Sequence, residues 1–173
     1  MYSIIRFGLL YGLALVMGFY VSHLVLDTTP DNFAISEMVD YSEVIISSLA
    51  IIMGIKYYKQ QRAPAPLGFM SGLGVGLGIS IIAAHVFALY NWLYLVFINP
   101  ISTTTYQQYS EQKIRSSGLS PKVIELQLAD LADNAEFMSN HFTKSVLMFA
   151  TVFIIGLLIS VVSALVLPTP RNN

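Results

Sequence analysis

LGFMSGLGVGLGISIIAAHVFALYNWLYLVFI, running from Leu67 to Ile98, decides the fold. It holds no carboxylate, lysine or arginine, and its first third carries Gly68, Gly72, Gly74, Gly76 and Gly78. A helix rises about 1.5 Å per residue and the hydrocarbon layer is about 30 Å thick, so this run crosses a bilayer with residues to spare. Three further apolar runs lie around it. Residues 4–26 and residues 143–167 are long enough to span by themselves. The apolar heart of the remaining run, Val44 to Ile55, is short. A full crossing there occupies about residues 37–58 and draws Asp40 and Glu43 into the outer edge of the hydrocarbon.

Composition agrees with a lipid solvent. The 173 residues are 55% hydrophobic and 11% charged, with a mean hydropathy of +0.65, whereas a soluble domain is about one quarter charged. The bilayer is therefore the first partner to expect. A net charge of −1 argues against nucleic acid. The absence of cysteine excludes disulfides and thiolate metal sites. The first run competes with a secretory signal peptide, but VSHLVLDTTP lacks a small-x-small cleavage pattern, so an uncleaved helix is expected.

The connections are legible. Residues 27–35, with a proline among acids and amides, read as a turn outside the hydrocarbon, and KYYKQQRAPAP from Lys56 to Pro66 reads as an interfacial loop. Tyr90, Trp92 and Tyr94 form an aromatic belt at the end of the third span. About residues 101–141 make one polar insertion. Within it Ile124, Leu128, Leu131, Ala135, Met138 and Phe142 recur with a helical period, behind Ser120 as N-cap and Pro121 in the first turn, with a break at Gly118. With a weaker helix over Thr104 to Arg115, this predicts an extramembrane helical hairpin. The expected architecture is all-α: a single membrane domain over residues 1–173, an integral membrane four-helix bundle with that hairpin between helices three and four.

Four spans put both termini on one side, together with Arg6, Lys56, Lys59, Arg62 and Arg171, while all ten carboxylates fall on the other with Lys113, Arg115, Lys122 and Lys144. The positive-inside rule makes the first side cytoplasmic.

At about 100° per residue, Gly68, Gly72 and Gly76 share one face of the third span and Gly74 and Gly78 another. Gly8 and Gly12 repeat the spacing on the first helix, and Gly156 heads a stripe with Ser160 and Ser163 on the last. Such small faces let helix backbones approach closely, within one bundle or across a homodimer seam. His85 falls on the Gly74 and Gly78 face, His23 near the Gly8 and Gly12 face, and Glu43 one turn after Asp40. Ionisable groups inside a membrane are costly and normally face the bundle or water, so His23, Asp40, Glu43 and His85 form a candidate intramembrane polar cluster. Its uses are interhelical hydrogen bonding, proton or cation handling, or a metal site, although no HxxxH or HExxH spacing arranges ligands. GLGVGLG has no preceding strand and is no dinucleotide fingerprint. No nucleophile elbow, phosphate loop, cofactor motif or catalytic motif is present, and the chain reads as a non-enzyme needing no cofactor.

MGIKYYK at Met53 to Lys59, the glycine-rich third helix and FINP at Phe97 to Pro100 together resemble the small four-helix bacterial membrane proteins grouped as a domain of unknown function, DUF4199. The resemblance covers nearly the whole chain and implies a bacterial inner-membrane setting and the same topology; it brings no activity. The function expected is an accessory, scaffold or complex-subunit role, with a homo-oligomer or another membrane protein as partner. The alternative is a small proton- or cation-handling transporter or channel acting as an oligomer through the His/Glu cluster.

Overall fold

The computed structural model describes residues 2–26, 32–63, 65–100, 102–135 and 139–167. All regular structure among them is helical: α1 (Tyr2–Val25), α2 (Phe33–Ser47), α3 (Leu49–Gln61), α4 (Phe69–Leu93) continuing into a π-helical turn (Tyr94–Ile98), α5 (Ser102–Arg115), α6 (Pro121–Asp133) and α7 (His141–Val166). Four helices are long and apolar enough to cross a membrane: Tyr2–Val25, Ala34–Gln61, Phe69–Ile98 and His141–Val166.

The second of these starts earlier and ends later than the apolar count indicates. Glu37 and Asp40 lie inside it, and KYYKQQ extends it to Gln61, because none of these side chains stops a helix. Its one interruption is at Ser48, which is buried; its hydroxyl donates to the Ile45 carbonyl at 2.6 Å. Serine bonding back to the preceding turn disturbs the backbone ladder there. α7 begins at His141 because the Asn140 side chain accepts from the Phe142 and Thr143 amides at 2.9 and 3.2 Å, satisfying two of the free N-terminal donors.

α4 packs against α1, α3 and α7, most extensively against α7, whereas α2 leans on α1 and barely touches α7. The contact of α4 with α7 rests on a reciprocal exchange. Gly76 faces Ser160, and Ser80 faces Gly156; a methyl at either glycine would sit 2.5 Å from the opposing serine Oγ. Both serines are buried, each donating to the carbonyl one turn earlier on its own helix, Gly76 for Ser80 at 2.8 Å and Gly156 for Ser160 at 2.6 Å. Each hydroxyl is thus satisfied at home and fills the gap left by a glycine across the interface. Gly72 lies against Ala164, continuing the seam. On the other side Gly8 meets Ile82, Gly12 meets Val86 and Gly78 meets Ile4, which brings α1 close to α4.

Two of the expected packing glycines take no part. Gly68 and Gly74 have no heavy atom within 4 Å of where a side chain would begin. Gly68 precedes the first turn of α4, in extended backbone, and Gly74 points outward. Two further glycines are close-contact positions: Gly18 faces Glu43, and Gly54 faces Phe7 and Ile79.

The core holds Tyr11, Leu15, Ile51, Ile55, Ile79 and Phe87, all essentially inaccessible. The outside is as apolar as the inside, with Leu13, Met17, Ile46, Met70, Leu158 and Val162 more than half exposed. An exposed apolar belt on every spanning helix belongs in lipid. At one end Arg6 stands over the Phe7 and Tyr57 rings at 5.8 Å each, and Lys59 donates to the last carbonyl of the α7 cap, Leu167, at 3.0 Å. A cation at a helix C-terminus is the favourable pairing.

Between α5 and α6 the chain turns at Gly118, whose φ of 68° is the left-handed region a glycine enters without cost. Ser120 precedes the first turn but its hydroxyl makes no cap bond. α6 ends at Asp133, so the expected stripe is not one helix: Phe142 belongs to α7, and Met138 lies outside the described residues. Ile124, Leu128, Leu131 and Ala135 are half-buried, and Gln107 of α5 donates to the Ala135 carbonyl at 3.3 Å.

Gly156→Ala is expected to destabilise the protein by about 1–3 kcal/mol through overpacking against Ser80, and Gly156→Ala with Ser80→Gly to recover most of the loss. Gly74→Ala should leave the thermal midpoint in detergent unchanged or slightly raised. Thermal unfolding followed by circular dichroism measures all three.

Candidate functional site

The end of the molecule opposite Arg6 and Lys59 carries the polar groups. His23 lies in the last turn of α1, and its Nδ1 sits 2.8 Å from the Phe19 carbonyl. A carbonyl only accepts, so Nδ1 carries the hydrogen. The ring is fixed further by the edge of Tyr94 at 5.1 Å, within an aromatic group in which Phe19 and Phe87 meet at 4.6 Å.

α2 crosses this end and brings Asp40 to α1. His23 and Glu37 are the titratable neighbours of Asp40, and the Ser22 hydroxyl faces it. Glu43, one turn deeper, lies against Gly18; any side chain at position 18 would displace its carboxylate. Five buried side-chain oxygens have no hydrogen-bond partner among the described residues: Tyr11 Oη, Ser22 Oγ, Asp40 Oδ1, Glu43 Oε2 and Tyr90 Oη. Three of them, on Ser22, Asp40 and Glu43, lie along the junction of α1 with α2. Unsatisfied groups are costly in a low-dielectric interior, so their concentration there singles the region out.

Two cavities adjoin at this place. The smaller, about 140 Å³, is lined by Ser22, His23, Ser36, Glu37, Asp40 and Tyr106. The larger, about 310 Å³, lies between α2 and α7 with α4 behind it, and shares Glu37, Asp40 and Tyr106 with the first. Its floor is apolar, with Phe19, Val44, Phe87 and Val152; Asn91 and Lys144 complete its polar rim. The space exists because α2 rests on α1 and stays clear of α7. α5 reaches over the entrance, where the Tyr106 hydroxyl donates to Glu37 Oε1 at 3.0 Å. Partial burial and that bond push the Tyr106 phenol above its ordinary range, so it remains a donor at neutral pH.

His23, Asp40 and Glu43 thus come together, and His85 does not. It is exposed, its Nδ1 bonded to the Ile81 carbonyl at 2.8 Å and its ring edge-on to Phe149 of α7 at 4.9 Å. Wheel arithmetic correctly places His85 on the Gly78 side of α4. Helices cross, however, and the face that meets Ile4 of α1 at Gly78 meets α7 two turns later. Among the described residues no three His, Asp or Glu side chains are placed to hold a metal ion. The sequence reading missed Ser22, Glu37, Asn91, Tyr106 and Lys144 as cavity residues. Only Lys144, a cation at the start of an apolar run, carried a signal: it is half-buried.

Removing the hydroxyl in Tyr106→Phe is expected to raise amide hydrogen exchange across α5 several-fold, since its bond to the carboxylate of Glu37 holds α5 over the cavities. Exchange in α7 should stay as it is.

No curated protein and no solved structure matches the chain. The sequence profile of one family, described as protein of unknown function (DUF4199), matches residues 6–169. The match takes in all but the first residues of α1, the other three spanning helices and both helices of the polar insertion, and by it the chain belongs to the DUF4199 family.

Proposed function

We propose that this chain is an accessory or scaffold subunit of a larger assembly in a bacterial inner membrane. In this reading it is a four-helix bundle with both termini cytoplasmic and an outward helical hairpin made by α5 and α6. The orientation follows from the cations Arg6, Lys56, Lys59 and Arg62 gathering in short segments at one end. The observation that carries the role is the outer surface of α6. No residue of α6 is buried, and beside the half-buried side turned towards α5 it presents Val123 and Leu126, with Leu119 in the turn just before it, between 38% and 59% exposed. Glu125, Asp130 and Asp133 on the same helix disfavour adhesion to anionic lipid, which leaves a protein surface as the natural cover.

The second reading, proton or cation handling by an oligomer, draws support from His23, Asp40 and Glu43 lying together. Against a path through one chain stands the inner half of the molecule, where Tyr11, Ile51, Ile55 and Ile79 close the interior.

Crosslinking in native membranes is expected to capture a stoichiometric partner or self-complex, and Leu126→Glu to abolish it without moving the thermal midpoint. A solitary monomer in wild-type membranes contradicts the scaffold role. The orientation is checked separately: Ser117→Cys should react with an impermeant maleimide on intact cells, and Arg62→Cys only after permeabilisation.

A further inference from the structure

We propose that the two adjoining cavities form one binding site for an amphiphile bearing a primary ammonium group, with the charged group between α1 and α2 and the apolar body between α2 and α7. This goes beyond the scaffold reading and stands independently of it.

The polar end has more acceptors than donors. Ser22, with 6% of its surface exposed, lines the smaller cavity with its hydroxyl turned to the Asp40 carboxylate. Asp40 Oδ1 beside it is buried and unpartnered. Glu37 contributes a second carboxylate, and the His23 ring lines the same cavity. An ammonium supplies three N–H donors and the positive charge that two carboxylates call for. A bare metal ion would need several ligands converging on a point, which the described residues do not offer.

The other end has opposite chemistry. Phe19, Val44, Phe87 and Val152 line a cavity of about 310 Å³, at the lower end of the range typical of small-molecule sites. It lies between α2 and α7, which hardly touch and whose outer faces are apolar, so the bilayer is the natural source of an apolar chain. Lys144 also lines this cavity, so an anionic group attached to the same ligand meets a cation there. Ammonium near Asp40 with an anion near Lys144 describes an aminophospholipid headgroup; ammonium alone describes a free alkylamine. Both share the chemistry proposed.

The test uses the full chain in a neutral maltoside detergent, with decylamine as the probe and decanol as its uncharged counterpart. Decylamine is expected to raise the thermal midpoint saturably, decanol not at all. Asp40→Asn keeps the shape, and its apparent affinity for decylamine should fall about tenfold or more. Thr151→Phe, which fills the larger cavity from α7, should abolish the response even if the Asp40 variant fails to fold. A non-saturable response, an equal response to decanol, or unchanged affinity in a folded Asp40→Asn or Thr151→Phe variant overturns the proposal. Native mass spectrometry then separates the sources. Phosphatidylethanolamine retained by the wild type and lost in both Asp40→Asn and Lys144→Ala assigns a lipid headgroup. Decylamine binding indifferent to Lys144→Ala, with no retained lipid, assigns a free amine.

Discussion

The close approach of α4 to α7 through Gly76 and Ser160, Ser80 and Gly156 is the contact on which the rest of the structure depends. In lipid the hydrophobic effect does not drive helices together, because a leucine is as well solvated by acyl chains as by another leucine. Packing and satisfied polar groups must do that work. Each serine returns its hydrogen to its own helix and offers its oxygen as a small spacer opposite a glycine, so no polar group is orphaned and the backbones come near. The two Oγ atoms lie 3.5 Å apart at the centre of the seam.

That contact fixes α4 against α7, and Gly8, Gly12 and Gly78 fix α1 against α4. The remaining span is then free to do something different at each end. α3 inserts Ile51 and Ile55 among the other helices and closes the half of the bundle that carries Arg6 and Lys59. Past the interruption at Ser48, α2 follows α1, held there by Gly18 accepting Glu43 against its backbone. Its departure from α7 opens the cavities, and its carboxylates become their polar wall. A glycine seam, a serine interruption and a cavity with charged walls are thus consecutive consequences of one packing arrangement.

The spanning helices were legible because hydropathy over about twenty residues is a strong local signal. Small-residue spacing also pointed to Gly72, Gly76 and Gly156, since a face of glycines has few other uses. It misjudged Gly68 and Gly74 because periodicity cannot say where a neighbour is absent. The polar site was half legible. Asp40 and Glu43 announced themselves by sitting within a span, and His23 by its depth. His85 shared every local attribute of His23, yet meets Phe149, because the helix crossing decides which neighbour a face sees at each depth. Tyr106 and Glu37, 69 positions apart, are joined by a hydrogen bond that no local pattern encodes.

The absence of cysteine makes the central contact directly measurable. In a Ser80→Cys, Ser160→Cys variant, mild oxidation in membranes should join α4 to α7 within one chain, seen as a reversible intramolecular disulfide, while either single variant keeps a free thiol. Two persistent free thiols in the double variant, or crosslinks only between chains, would contradict the reciprocal glycine–serine seam and with it the arrangement of the helices around α4.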